Sequence, residues 1–323
     1  MSFIEVKDLK VHYPIRGGFF NKIIDYVYAV DGVSFTIEKG KTYGLVGESG
    51  SGKSTIGKAI IGLEKIKSGK IIYEGREIDR KFRNRRSEYN RNVQMIFQDS
   101  LSSLNPKKRV IDLISEPLRN FENLTLDEEK RKVSELLEIV GMNREDIFKY
   151  PHEFSGGQRQ RLGIARAVAT KPKLIIADEP VSALDLSVQA QVLNYMKDIQ
   201  EQFGLSYLFI SHDLGVVKHM CDYMFIMYHG RFVETGEKND IYKNPEHFYT
   251  KRLIAAIPEI HPEKRAENKR RRLEIEREYL ANEKKYYDEN GRVFDLKKLT
   301  DTHFVAFKDK NLGNDENSEK GGK

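Results

Sequence analysis

The feature that most constrains the fold is a glycine-rich loop between an apolar run and a helix-like run. Residues 47–54 read Gly-Glu-Ser-Gly-Ser-Gly-Lys-Ser, which fits the pattern G-x-x-x-x-G-K-[ST]. The strand-like run covers residues 43–46, and the helix-like run covers residues 55–63. In such a unit, backbone N–H groups bind phosphate, the lysine reaches the outer phosphates and the last hydroxyl binds Mg²⁺. The predicted phosphate-binding residues are Gly47, Glu48, Ser49, Gly50, Ser51, Gly52, Lys53, Ser54 and Thr55.

A second glycine motif lies far along the chain from the first. Ser155, Gly156, Gly157 and Gln158 come just before a helix-like run at residues 159–169. A serine hydroxyl and glycine N–H groups at the start of a helix form a second anion-binding end. The two motifs together point to a composite ATP site.

Short apolar runs alternate with helix-like stretches over residues 1–258. The runs at residues 93–97, 174–177, 207–210 and 224–227 are typical of buried strands, and residues 128–140, 159–169 and 187–203 are helix-like. This alternation predicts an α/β fold with a largely parallel sheet flanked by helices. Residues 101–169 are strand-poor and predict a helical subdomain inserted into that core.

The composition changes after this predicted ATP-binding domain. Residues 259–323 are rich in charged helix formers, and we interpret them as a C-terminal extension with a solvated helix. Residues 311–323 are polar and predict a disordered end.

Composition also excludes several classes of protein. Of the 323 residues, 39% are hydrophobic, which is enough for a core. No run approaches the roughly 18 apolar residues of a membrane span, and the N-terminus lacks a secretory-signal pattern, so we expect the chain to stay in the cytoplasm. The single cysteine, Cys221, excludes an internal disulfide and a multi-cysteine metal site within this chain. The net charge of +6 supports contact with anionic surfaces only weakly.

Polar side chains follow three of the predicted strands. Asp178 and Glu179 end one of them, which suits a Mg²⁺-associated aspartate followed by a general base for the attacking water. Gln98 suits a contact with Mg²⁺ or that water, and His212 suits a contact with the γ-phosphate. Taken alone, such a glutamine or histidine is more often structural. The predicted catalytic residues are Glu179, His212 and Gln98, and the predicted Mg²⁺ ligands are Ser54, Gln98 and Asp178.

The order of these motifs resembles that of the nucleotide-binding subunits of ATP-binding cassette (ABC) transporters. In chain order the matching residues are Lys53, Gln98, Ser155 to Gln158, Asp178 with Glu179, Ser182 to Asp185, and His212. The resemblance covers roughly residues 1–258 and implies a P-loop NTPase fold of the ABC type. It also implies that two such domains meet head to tail, so that each ATP lies between one phosphate loop and the other subunit's Ser-Gly-Gly-Gln motif.

This family stacks an aromatic side chain near the N-terminus on the adenine ring. Tyr13 matches that position. Because an insertion precedes Val33, Tyr26 and Tyr28 stay open as alternatives.

Several stretches resemble the oligopeptide and dipeptide importers more closely. They are residues 13–18, 97–106, 153–161 and 178–185. Residues 244–250 resemble that group's C-terminal His-Pro-Tyr segment, with Phe248 in place of the proline. Some relatives carry a cysteine cluster in this region; this chain has none, and no iron–sulfur cluster is implied.

The resemblance implies an ATPase that powers the import of oligopeptides or dipeptides. The implied partners are a second ABC ATPase subunit, expected to be a non-identical homologue, two membrane permease subunits and an extracellular substrate-binding protein. The chain would lie peripherally on the cytoplasmic face of the membrane. A short helix of each permease would dock in a groove near Gln98, so that residues 98–108 transmit the nucleotide state. No nucleic-acid partner is expected.

Two other functions are weighed against this one. Soluble ABC ATPases act on ribosomes or nucleic acid, and the basic stretches at residues 80–86 and 269–272 could serve such binding. Acidic residues dilute both stretches, which favours solvated helix faces. A degenerate regulatory subunit conflicts with the presence of Lys53, Glu179 and His212.

Overall fold

Two sheets form the frame of the described part of the chain. The computed structural model describes residues 2–18, 20–78, 88–99, 104–257, 265–282 and 285–308. The strands are β1 (Ile4–Gly17), β2 (Lys22–Ile37), β3 (Thr42–Val46), β4 (Ser68–Tyr73), β5 (Arg76–Glu77), β6 (Val93–Ile96), β7 (Leu174–Asp178), β8 (Ser206–Ser211), β9 (Tyr223–Tyr228), β10 (Arg231–Glu237), β11 (Leu296–Lys298) and β12 (Phe304–Ala306). The helices are α1 (Lys53–Ile61), α2 (Glu88–Asn92), α3 (Val110–Arg119), α4 (Leu126–Ile139), α5 (Gly156–Val168), α6 (Leu186–Phe203), α7 (Leu214–Met220), α8 (Lys238–Lys243), α9 (Phe248–Ala255) and α10 (Arg265–Asn282).

The larger sheet has eight strands in the order β11-β12-β10-β9-β3-β8-β7-β6. The neighbouring pairs from β9 to β6 are parallel. Every residue of β3, β7 and β8 is buried, as expected for strands that are covered on both faces. Along β7, Ile175 faces one apolar core and Ile176 faces the other. These strands confirm the predicted α/β class.

The smaller sheet is antiparallel and was not predicted from the sequence. Its order is β2-β1-β4-β5. Strands β1 and β2 mix buried and exposed residues along their length, and β-bulges interrupt their register. A regular alternation of period two, which is the sequence signal for such strands, is therefore missing.

Helices fill the described chain between β6 and β7. Over residues 104–173 the regular elements are α3, α4, α5 and two short 3₁₀ helices at Arg144–Phe148 and Pro151–Glu153. Helix α4 begins with a capping box, in which Thr125 and Glu128 each bond the other's backbone N–H. Residues 101–103 lie outside the described residues. The boundaries of a separate helical subdomain stay a prediction.

The chain returns to the larger sheet after α10. Strand β12 pairs with β10, so that Val305 lies opposite Glu234. An ion pair between Arg292 Nη2 and Asp31 Oδ2, 2.7 Å apart, ties the same segment to β2. Short strands of three residues carry little periodic signal, so β11 and β12 are not predictable from the sequence. The predicted disordered end falls on residues outside those described. Within the described ranges, no helix combines the length and apolar character needed to span a membrane.

A buried ion pair joins this returning segment to β10. Glu234 is fully buried, and its Oε1 lies 2.7 Å from Nε2 of His303. The same carboxylate accepts hydrogen bonds from the backbone N–H groups of Glu246 at 2.8 Å and His247 at 3.0 Å. These partners offset the cost of burying the charge. The hydrogen bond to Glu234 raises the pKa of His303 above its usual value.

We expect His303→Gln to lower the free energy of unfolding by about 1–3 kcal/mol at about pH 5.5, and by less at about pH 9. The contribution of protonated His303 is complete below the ordinary histidine pKa of about 6.5. It is lost as the pH rises through the raised pKa of the folded state. Urea unfolding of both chains at several pH values measures the difference.

The neighbouring His247 serves as an internal reference for that experiment. Burial lowers the pKa of His247 to about 3, so acidification below the ordinary histidine pKa destabilises both chains in the same way. Subtracting the two curves therefore isolates His303. A difference that stays constant from acid to alkaline pH would show that the charge of His303 contributes nothing.

Candidate nucleotide-binding site

The phosphate loop connects buried strand β3 to helix α1. Glycine is required at both ends of the loop because the chain approaches neighbouring backbone closely. A Cβ atom at Gly47 would lie 2.2 Å from the carbonyl oxygen of Met227, and one at Gly52 would lie 2.0 Å from that of Ala29. Gly52 also has a φ of 106°, in the left-handed region. Tight packing therefore holds the loop over the first turn of α1, where backbone N–H groups can bind phosphate.

Lys53 points into this loop. Its Nζ donates hydrogen bonds to the carbonyl oxygens of Gly47 at 2.8 Å and Glu48 at 2.7 Å. Only 4% of the residue is exposed, and burial lowers the pKa of the ammonium group. The arrangement places a buried cation among the N–H groups that face the predicted phosphates.

A hydroxyl and a carboxylate meet where the sequence predicts Mg²⁺. Ser54 Oγ donates to Oδ1 of Asp178 at 2.8 Å. Asp178 is 3% exposed, and burial raises its pKa while the bond from Ser54 opposes that shift. Hard oxygen atoms are the ligands that Mg²⁺ prefers, so this pair fits the ion.

Glu179 lies between two polar side chains. Gln98 Nε2 donates to Oε2 of Glu179 at 2.9 Å, and His212 Nδ1 lies 3.0 Å from Oε1. The backbone of Glu179 has a φ of 47°, which is uncommon for a residue with a side chain. Such conformations cluster at functional sites, and here both carboxylate oxygens are oriented.

One cleft of about 570 Å³ brings the phosphate loop together with Gln98, Glu179 and His212. Asp178 does not line the cleft itself and contacts it through Ser54. Of the residues that the sequence predicts for the site, those that line the cleft are Glu48, Ser49, Gly50, Gly52, Lys53, Ser54, Thr55, Gln98, Glu179 and His212. The three side chains Gln98, Glu179 and His212 follow β6, β7 and β8, which are neighbours in the sheet. The carboxyl ends of parallel strands therefore place them beside the phosphate loop.

The second glycine motif does not line this cleft. Ser155 caps helix α5. Its Oγ accepts a hydrogen bond from the backbone N–H of Gln158 at 3.3 Å, and the side-chain oxygen of Gln158 accepts one from the backbone N–H of Ser155 at 2.9 Å. Ser155, Gly156 and Gln158 are exposed and Gly157 is half-buried. Within one chain, the structure therefore leaves this helix end open on the surface.

The three candidate tyrosines fall on two faces of the β1–β2 hairpin. Tyr13 is 38% exposed, and its phenol interacts with the side chain of Thr55, next to the phosphate loop. The adjacent His12 contacts Tyr28 with ring centroids 4.6 Å apart and Tyr26 with centroids 6.5 Å apart. Since neighbouring side chains of a strand point to opposite faces, Tyr26 and Tyr28 lie away from Tyr13. This favours Tyr13, and the stacking itself stays a prediction.

Three residues at this site were not predicted from the sequence. Ala29 and Leu253 line the cleft, and the Tyr249 hydroxyl accepts a hydrogen bond from the backbone N–H of Glu48 at 2.9 Å. Tyr249 belongs to the segment that resembles the His-Pro-Tyr motif, but no spacing in the sequence connects it with the loop. Only the folded chain brings α9 there.

Comparisons with known proteins agree with this geometry. The family model described as ABC transporter matches residues 30–182, and that described as oligopeptide/dipeptide transporter, C-terminal region, matches residues 233–289. An ATP-binding cassette solved as a dimer in a post-hydrolysis state with ADP and Pi superposes with a TM-score of 0.64. It is 24% identical and covers 73% of this chain and 98% of its own, which supports the fold.

Curated relatives are more similar still. The oligopeptide transport ATP-binding protein OppF of Lactococcus lactis subsp. lactis is 56% identical over 305 residues, covering 94% of this chain and 96% of the relative. The dipeptide transport ATP-binding protein DppF of Escherichia coli is 45% identical over 264 residues, covering 82% and 79%.

The chain therefore belongs to the ABC transporter family and is an ATPase of that class. Within the family it belongs to the group of oligopeptide and dipeptide transport ATP-binding proteins. The family predicted from the sequence is confirmed, and the relatives do not favour a soluble ATPase that acts on ribosomes or nucleic acid.

Proposed function

We propose that this chain is the ATP-hydrolysing subunit that powers the import of oligopeptides or dipeptides through a membrane transporter. The observation that carries the proposal is the single cleft shared by the phosphate loop, Gln98, Glu179 and His212. The 56% identity to an oligopeptide transport ATP-binding protein over nearly the whole chain supports the substrate class.

Lys53, Ser54 and Asp178 bind the phosphates and the metal in this proposal. The ammonium group of Lys53 shifts from the loop carbonyls toward the β- and γ-phosphates. Ser54 Oγ and Asp178 would hold Mg²⁺, with the amide oxygen of Gln98 as a further ligand. Mg²⁺ supplies charge neutralisation at the phosphate oxygens. Tyr13 stacks on the adenine ring.

Glu179 and His212 carry out the chemical step. The carboxylate of Glu179 accepts the proton of a water that attacks the γ-phosphorus, and the bond to the β-phosphate oxygen breaks to give ADP and phosphate. Gln98 and His212 hold that carboxylate through contacts of 2.9 and 3.0 Å. His212, whose side chain is 55% exposed, would contact the γ-phosphate.

A second ATPase subunit completes the site. Ser155, Gly156, Gly157 and Gln158 lie at an exposed helix start outside the cleft, so they would bind the ATP held by the phosphate loop of a partner, a non-identical homologue. ATP then favours the closed pair, and hydrolysis removes the bridging γ-phosphate contacts and returns the pair to the open state.

A groove beside Gln98 fits the permease partner. It has a volume of about 490 Å³ and lies between the end of β6 and helices α3 and α5. Phe97, next to Gln98, is 37% exposed there, and Leu63 is 63% exposed. A short cytoplasmic helix from each of two permeases would dock in such a groove and transmit the motion of the pair. An extracellular binding protein delivers the peptide, and the chain lies peripherally on the cytoplasmic face of the membrane.

Isolation from membranes tests this assembly. We expect the chain to copurify from detergent-solubilised membranes with two permease subunits and a second ATPase. Binding to ribosomes or to duplex DNA, with affinity that falls steeply with salt concentration, would instead support the soluble alternative. A chain that recovers neither permeases nor a second ATPase contradicts the proposal.

A further inference from the structure

Helix α9 touches the phosphate loop through one side chain. The Tyr249 hydroxyl oxygen accepts a hydrogen bond from the backbone N–H of Glu48 at 2.9 Å. That N–H belongs to the peptide group between Gly47 and Glu48, and the carbonyl oxygen of the same group accepts a hydrogen bond from Lys53 Nζ at 2.8 Å. Both polar groups of the peptide that opens the loop are therefore held, which fixes the orientation of its plane.

Binding of a triphosphate affects the contact made by Lys53 and the contact made by Tyr249 differently. The contact of Lys53 changes, because its ammonium group binds the phosphates as well as the loop carbonyls. Tyr249 sits in a helix and is 1% exposed. Its contact can thus persist while Lys53 changes partners.

Packing and hydrogen bonds hold Tyr249 from several sides. Its ring centroid lies 4.6 Å from that of Tyr228, at the end of β9. Its backbone N–H donates to Nδ1 of His247 at 3.1 Å, and the N–H of His247 donates in turn to buried Glu234 at 3.0 Å. The position of the hydroxyl is therefore determined by the core and not by the loop itself.

We infer that Tyr249 is a positioning residue for the phosphate loop, through which the C-terminal region supports ATP binding. The inference rests on the proposed function, because it concerns the same nucleotide site. In this role, the segment around α9 holds the first peptide of the phosphate loop in the orientation that binds phosphate.

Tyr249→Phe tests the role because it removes only the hydroxyl group. In the assembled complex we expect the KM for ATP to rise about two- to tenfold, because one hydrogen bond to the loop is lost, while kcat stays nearly unchanged. In the isolated full-length chain, the rise in Tm produced by MgATP should shrink by a matching amount.

Tyr207→Phe is the matched control. Tyr207 is also fully buried, and its hydroxyl donates to the carbonyl of Met196 at 3.1 Å, away from the cleft. Without nucleotide, the Tm of both variants should fall by a similar amount. Only Tyr249→Phe should change the KM for ATP and the MgATP-induced rise in Tm. If the KM and the MgATP-induced rise in Tm are the same in the two variants, the role of Tyr249 is overturned. A wild-type chain that binds no MgATP overturns the proposed function and this inference with it.

Discussion

Glu179→Gln is expected to lower the ATP turnover of the assembled complex by about 10²–10⁴-fold, the usual contribution of a general base. The amide is nearly isosteric with the carboxylate and can keep a contact to Gln98, which lies 2.9 Å from Glu179 Oε2. It cannot accept the proton of the attacking water. ATP binding should therefore survive, and the ATP-bound chain should accumulate in association with its partner ATPase.

Phosphate release and nucleotide binding, measured on the same preparation, separate the two effects. Glu201→Gln, at an exposed position on α6, makes the same chemical change away from the cleft and should leave turnover as in the wild type. Turnover of Glu179→Gln equal to that of this control would show that Glu179 is not the base.

Lys53→Ala has the second large expected effect, a fall in ATP affinity of about 10- to 100-fold. The substitution removes a buried cation, 4% exposed, that the phosphates would otherwise bind. It also leaves the carbonyls of Gly47 and Glu48 without the hydrogen bonds that Lys53 donates. Equilibrium binding of a fluorescent ATP analogue to the full-length chain measures the loss.

Lys243→Ala controls for loss of a positive charge. Lys243 is exposed at the end of α8, outside the cleft, and its removal should leave the affinity unchanged. If Lys53→Ala bound the analogue as tightly as Lys243→Ala does, Lys53 would not be a phosphate ligand.

Local patterns sufficed to predict much of the candidate site. The strand–loop–helix unit around Lys53 is contiguous in sequence, so its spacing alone predicts its geometry. Gln98, Glu179 and His212 were each recognised at the end of an apolar run. Their meeting follows from the adjacency of β6, β7 and β8, because the carboxyl ends of parallel strands share one edge of the sheet.

Features that depend on contacts between distant segments were not predictable in this way. The return of β12 to β10 pairs Val305 with Glu234 through strands too short to show a period. Tyr249 looks like any core tyrosine in the sequence, and only the packing of α9 brings its hydroxyl within 2.9 Å of the backbone N–H of Glu48. The choice of Tyr13 over Tyr26 and Tyr28 likewise needed the two faces of the hairpin.

The most direct test of the central claim is the rate of ATP hydrolysis by the complex reconstituted in lipid vesicles, with and without peptide-loaded binding protein. The proposed function predicts hydrolysis that peptide stimulates and that Glu179→Gln lowers by about 10²–10⁴-fold, accompanied by ATP-dependent accumulation of peptide inside the vesicles. Glu179-dependent hydrolysis that is the same with and without peptide and permeases, and that moves no peptide, would contradict it.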